Sequence, residues 1–328
     1  MRRFVLTLLC VLGCYTATTH SSPSTPQTFG DWSAPSNVAS LNTSSNDEYA
    51  VFSRDGLTIY FTSDRPGSQI RPDGSLGLDL WFATRDSVDS PSWNTPENMG
   101  SLINSAADDS LPFLSSNEHV LYFYSKRPGG CGQGDIWMTR RRNKHSDWQE
   151  PTNLGCDLND LNTSFDETAP AFFEDPKTEQ AWLFFGSNRP GTCPESCPGG
   201  IGDYDVYASP LGEGGSAGPG ILIPEFSSAK RDTRIFIRKD GLEAFITSNR
   251  SGSLNASLDI WVSTRDTLSD QWSAPTNPGM PVNSMVDDVA PWLSKDGTTL
   301  YFSSNRSGSL GLTGLRDIWY TTRTKLND

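Results

Sequence analysis

At 328 residues the chain can bury a sizeable core, and its formal net charge of −13 argues against phosphate backbones and anionic lipid surfaces as direct partners. Apolar residues make up 35%, with 10 Trp and 16 Phe to fill an interior, and 29 Gly and 22 Pro suit many tight turns. A long internal repeat argues for one large all-β unit rather than two ordinary domains.

The chain opens with Met1-Arg2-Arg3 and an apolar run from Phe4 to Gly13. A charged start and a short apolar run read as an export signal over residues 1–13, too brief to span a bilayer. Val11-Leu12-Gly13-Cys14 resembles the lipobox of bacterial lipoproteins, with Val where Leu is preferred. The resemblance implies lipidation of Cys14 and a periplasmic or outer-membrane-tethered protein whose only tie to the membrane is that anchor. Plain secretion and a misassigned start are the alternatives. Residues 14–28 are rich in Ser, Thr and Pro, as a flexible tether would be.

From residue 29 to 328 a unit of about 60 residues recurs five times. Its most regular mark is Ser-x-Arg at the end of a strand: Ser63-Asp64-Arg65, Ser125-Lys126-Arg127, Ser187-Asn188-Arg189, Ser248-Asn249-Arg250 and Ser304-Asn305-Arg306. In the fifth unit a first strand is predicted over 289–294 and a second over 299–303, joined by the turn Lys295-Asp296-Gly297. Asp-Gly between apolar runs is a hairpin signal, and it recurs at Asp55-Gly56 and Asp240-Gly241. Third strands open at Asp79-Leu80-Trp81, Asp135-Ile136-Trp137, Asp205-Val206-Tyr207, Asp259-Ile260-Trp261 and Asp317-Ile318-Trp319. Fourth strands carry Trp, Pro and Asn at Trp93, Pro96, Asn98, at Trp148, Pro151, Asn153 and at Trp272, Pro275, Asn277. The third unit is degenerate: Pro210 to Ile223 is Gly-rich and lacks this Trp and Pro. The fifth stops short of a fourth strand, and the missing piece stands at the other end as Trp32, Pro35 and Asn37. The predicted fold is therefore an all-β, five-bladed propeller with four antiparallel strands per blade. Its N-terminal strand completes the last blade and removes an open sheet edge. A closed ring buries its own edges, so a monomer is expected.

The run Asp-Asp-x-x-Pro, Ser-x-Asp-Gly, Tyr-Phe-x-Ser-x-Arg and Asp-Ile-Trp resembles the WD-like propeller repeats of the TolB type. The likeness covers about residues 29–328. It implies the propeller fold and no particular activity, since that repeat class serves scaffolds, peptidase-associated domains and others.

Cys131, Cys156, Cys193 and Cys197 remain once Cys10 and Cys14 are set aside, an even number in an oxidising compartment. Three pairings are open, of which Cys131 with Cys156 and Cys193 with Cys197 join neighbours within one loop region. A zinc site is the lesser alternative, because no histidine accompanies the cysteines.

Antiparallel order puts the Ser-x-Arg loops and the blade-to-blade crossovers on one rim, here the loop rim, and the Asp-Gly turns on the other, the turn rim. The pairs entering the first strands also fall on the loop rim: Asn46-Asp47, Asp108-Asp109, Asp166-Glu167, Arg231-Asp232 and Asp287-Asp288. Such carboxylates around a channel mouth can bind a cation or sugar hydroxyls, or act as acid and base. Alternatively, each can pair with the arginine of its own blade and lock loop to strand. Repetition in every blade favours the second reading. Breaks in the symmetry are better functional clues: Glu48, Arg231 and Arg234 interrupt their columns, and arginine suits a carboxylate or phosphate ligand. The candidate ligand-binding set is Asp47, Glu48, Asp109, Glu167, Arg231, Arg234 and Asp288. A loop from Gly191 to Asp203 overhangs the same rim.

Other chemistry finds little support. His20, His119 and His145 hold no metal-ligand spacing, and no catalytic triad, phosphate loop or calcium loop is present, so no cofactor, metal or catalytic residue is assigned. The period-locked Trp81, Trp137, Trp261 and Trp319 read as inter-blade core rather than sugar platforms. Two functions follow. One is an exported, non-catalytic binding or scaffold propeller that recognises a protein or glycan on its loop-rich face. The other is a carbohydrate-active enzyme, a hydrolase or lyase, using Asp47, Glu48, Asp109 and Glu167; two unpaired carboxylates facing an open pocket at roughly 5–5.5 Å or 6.5–9.5 Å would favour it.

Overall fold

The computed structural model describes residues 27–326 except 91, 158, 191–202 and 312–313. Cys14, the leader and all but the last two residues of the tether lie outside the described residues, as do Cys193, Cys197 and most of their loop.

Five antiparallel sheets form the propeller. The first blade runs Asp47–Phe52, Thr58–Ser63, Asp79–Thr84 and Glu97–Asn98, each strand pairing with the next. The second repeats this with Asp109–Leu114, Val120–Ser125, Asp135–Arg140 and Thr152–Asn153. The third has Glu167–Glu174, Ala181–Ser187, Asp205–Pro210 and Ile221–Leu222. Despite its missing Trp and Pro, this blade therefore gains a fourth strand, held to the third by Tyr207 opposite Leu222 and Ala208 opposite Ile221. The fourth blade has Asp232–Ile237, Glu243–Ser248 and Asp259–Thr264, and its fourth strand shrinks to a single bridge between Val262 and Thr276.

Closure is made as the sequence predicts. Ser36–Asn37 pairs antiparallel with Asp317–Thr322, setting Ser36 opposite Tyr320 and Asn37 opposite Trp319. The flanking residues extend the contact, with Ser33 N to Thr322 O at 2.8 Å and Val38 N to Ile318 O at 3.0 Å. Asn42 then bonds both backbone groups of Ile318, at 2.9 and 3.0 Å. Asn104, Asn162 and Asn283 do the same to Leu80, Ile136 and Ile260. An asparagine thus fastens each of four crossovers to its third strand.

The hairpin turns use Gly56, Gly241 and Gly297 at φ of 70°, 73° and 76°, a left-handed conformation that glycine adopts without strain. The core lies between blades. Phe61, Phe123, Phe185, Phe245 and Phe302 at the centres of the second strands are buried, and so are Trp81, Trp137, Tyr207, Trp261 and Trp319 on the third strands.

Candidate functional site

At the loop rim, each acid that opens a first strand meets the arginine of its own blade. Arg65 pairs with Asp47, and the distances are 2.5 Å for Arg127–Asp109, 2.9 Å for Arg189–Glu167, 2.6 Å for Arg250–Asp232 and 2.5 Å for Arg306–Asp288. All five carboxylates are 0% exposed. In the first blade the other oxygen of Asp47 accepts from the Thr43 hydroxyl at 2.8 Å, and Ser63 donates to the first at 2.7 Å. Ser105, Thr163, Ser228 and Ser284 repeat the Thr43 bond in the other blades. Each arginine also reaches a crossover carbonyl, as Arg65 reaches Leu41 O at 2.6 Å. Its flat face lies against aromatic rings, 4.9 Å from Phe61 and 5.3 Å from Trp81 for Arg65. Buried carboxylates held by an arginine, a hydroxyl and a backbone N–H are mechanical parts of the blade.

Glu48 is buried too and is held by Arg316 at 3.2 Å, which also grips Asp287 at 2.7 Å. Burial raises the Glu48 carboxyl above its ordinary range, and Arg316 acts against that rise. Arg231 stays exposed with its guanidinium 4.5 Å over the Tyr204 ring, while Arg234 is buried inside the ring of blades. Six of the seven candidates thus lie at the loop-rim end of the toroid, and Arg234 lies further in along the axis. Asp47, Glu48, Asp109, Glu167 and Asp288 all enter that end already paired. Cys131 and Cys156 form a disulfide that ties the Ser-x-Arg loop side of the second blade to the crossover leaving it.

A cavity of about 1060 Å³ opens at the opposite, turn rim. The fifth residue of each first strand builds its floor in four blades: Val51, Phe113, Phe236 and Trp292. Phe113 of the second blade reaches Phe236 of the fourth at 6.3 Å, Phe236 meets Trp292 of the next blade at 6.1 Å, and Trp292 packs 4.3 Å from Phe52 of the first. These rings form an aromatic plate at the base of the cup. The mouth of the cup is set by the turn residues Arg54, Ser116, Glu174, Lys239 and Lys295. Glu174 accepts a bond from the Ser116 hydroxyl, whereas Arg54, Lys239 and Lys295 form no ion pair among the described residues. Sequence reasoning passed over this site. Its floor varies from blade to blade and reads as ordinary core, and attention went to the repeated acids of the other rim. The one usable signal was that first strands of a propeller line the channel, so their aromatic ends must face each other.

No family model matches the chain, and no curated protein matches it. Solved structures do. An endo-arabinase from Bacteroides thetaiotaomicron superposes with a TM-score of 0.53 at 13% identity, covering 90% of this chain and 99% of that one. A family 117 glycoside hydrolase from Zobellia galactanivorans gives 0.54 at 10% identity, with 92% of each chain covered. TolB from Acinetobacter baumannii is also matched, at a TM-score of 0.46 and 11% identity over 90% of this chain and 65% of TolB. At such identities the likeness establishes the fold alone: the chain is a five-bladed β-propeller.

Proposed function

We propose that this protein is an exported, non-catalytic binding propeller that receives a glycan in the turn-rim cup. One observation carries the reading: an aromatic plate spans the axis at the base of a cavity of about 1060 Å³ whose mouth is polar and charged. Flat apolar rings below and a few hydrogen-bonding groups above suit a sugar, which has C–H faces and hydroxylated edges. The non-catalytic part rests on the loop rim, where the repeated carboxylates are all engaged by arginines. Secretion or a lipidated Cys14 would place the cup outside the cytoplasm, and a monomer would suffice. A polysaccharide and oligosaccharide panel, read for binding and for released reducing ends, tests the proposal. Binding without release is expected, weakened several-fold by Trp292→Leu. Released ends would overturn the non-catalytic reading, and absence of any binding would shift the cup to a protein segment.

A further inference from the structure

Below the aromatic plate, the third residue of each first strand faces the axis: Tyr49, Leu111, Ala169, Arg234 and Ala290. Four of them hold left-handed backbone, with φ of 60°, 57°, 53° and 57° for Tyr49, Leu111, Ala169 and Ala290. Three give their N–H to a hydroxyl of the preceding blade: Tyr49 to Ser303, Leu111 to Thr62 and Ala290 to Thr247. Arg234 is the odd member, and it is 2% exposed.

Its side chain crosses from the fourth blade to the first two. Nη2 lies 3.4 Å from Pro112 O, and the guanidinium carbon lies 5.9 Å from the Tyr49 ring and 6.0 Å from the Phe113 ring. Nε and Nη1 are buried and have no acceptor among the described residues. Nor has Arg234 an ion pair there, in contrast to the five loop-rim arginines and Arg316. Glu48 is held by Arg316, and the phenol of Tyr49 is kept neutral by burial and by Glu48 beside it. Burial draws the Arg234 guanidinium down only to about 10, so it is a cation at neutral pH. Water can satisfy N–H groups but cannot balance an enclosed charge. The two flanking positions of the same column, Ala169 and Ala290, are alanines and bring no charge toward the axis.

We infer that the interior of the toroid, beside the buried Nε and Nη1 of Arg234, binds one monovalent anion of about the size of chloride. A single uncompensated positive charge matches a single negative one. A dianion such as phosphate would retain an excess charge among Leu111, Ala169, Ala290 and Phe113. The site is separate from the cup and does not depend on what the cup binds.

Crystals of the whole protein grown in sodium bromide test it by anomalous scattering, with a bromide peak expected next to Nε or Nη1 of Arg234. In solution, the Tm is expected to rise with sodium chloride and not with sodium methanesulfonate at equal ionic strength. The rise should continue with the logarithm of chloride concentration, while screening acts equally in both salts. Arg234→Met should lose the bromide peak and the chloride dependence together. If that variant does not fold, the wild-type bromide map decides. No bromide beside Arg234, or equal Tm in the two salts, overturns the inference.

Discussion

A carboxylate removed from water needs all its lone pairs occupied, and the blades meet that need unevenly. Asp47 and its four equivalents are satisfied by arginine, hydroxyl and backbone. The aspartates that open the third strands are less well served. In Asp79 one oxygen accepts from Gln69 N at 2.8 Å and Asn98 Nδ2 at 2.7 Å, while the other is buried with no partner among the described residues. Leu222, opposite Tyr207, takes the register position that Asn98 holds opposite Trp81, so Asp205 has no equivalent amide donor there, and burial together with Asp232 and Asp203 pushes its carboxyl up to about 6. The folded protein therefore holds this proton to higher pH than the unfolded chain does. Its contribution to stability is complete below about 3.8 and is lost as pH rises through about 6. Asp205→Asn, of the same shape without the charge, should stabilise the fold by about 1 kcal/mol at pH 7, a figure discounted for solvent near the rim. It should also flatten the stability profile between those two pH values. Urea unfolding at a series of pH values measures both, and a destabilised variant at pH 7 would refute the argument.

At the scale of elements, fourth strands only two residues long hold the blade edges, so side chains do much of the fastening. The strand Ser36–Asn37 is the most consequential, because it covers the edge of Asp317–Thr322. Asn37 Nδ2 bonds Asp317 at 2.7 Å, and Arg323 stacks over Trp32 at 4.5 Å. Deleting residues 27–38 should expose an unpaired strand, cost several kcal/mol and turn a monomer into associating species by size-exclusion chromatography. A deletion variant that stays monomeric with unchanged Tm would show that the strand is dispensable. Much of this was legible beforehand. The Ser-x-Arg period, the Asp-Gly turns and the displaced Trp32, Pro35, Asn37 gave blade number and closure, because repeated backbone geometry requires repeated residues. The fourth strand at Ile221–Leu222 was not legible, since an edge strand this short is made by backbone pairing that many side chains permit. The repeated apolar-Asn pair at Asn42, Asn104, Asn162 and Asn283 was visible but was not read as a fastener.

For the whole molecule, the ring brings its ends together, with Phe29 bridged to Lys325 and Leu326 N bonded to Thr28 O at 3.0 Å. Where the chain is cut should then matter less than that the ring closes. A circular permutant joining residue 326 to residue 28 through a short linker, and opened between the exposed Asn143 and Lys144, is expected to keep its circular dichroism spectrum and a Tm within a few degrees. Failure of that permutant to fold would mean that the order of the blades in the chain, and not closure alone, shapes the toroid. The site was harder to foresee than the ring. Arg234 stood out by breaking its column, yet only three dimensions reveal that it has no ion pair among the described residues, and the cup depends on which residues meet across an axis.

The joint between Asn37 and Trp319 also sets a timetable. The two partners stand hundreds of residues apart in the chain, and at about 5–20 residues per second the earlier segment waits tens of seconds for its mate. Throughout that interval nascent wedges can assemble on one another, but the final seam stays unsealed and sticky. Delivery across a membrane in an unfolded state, or the attention of a chaperone, would keep that seam from closing on the wrong neighbour.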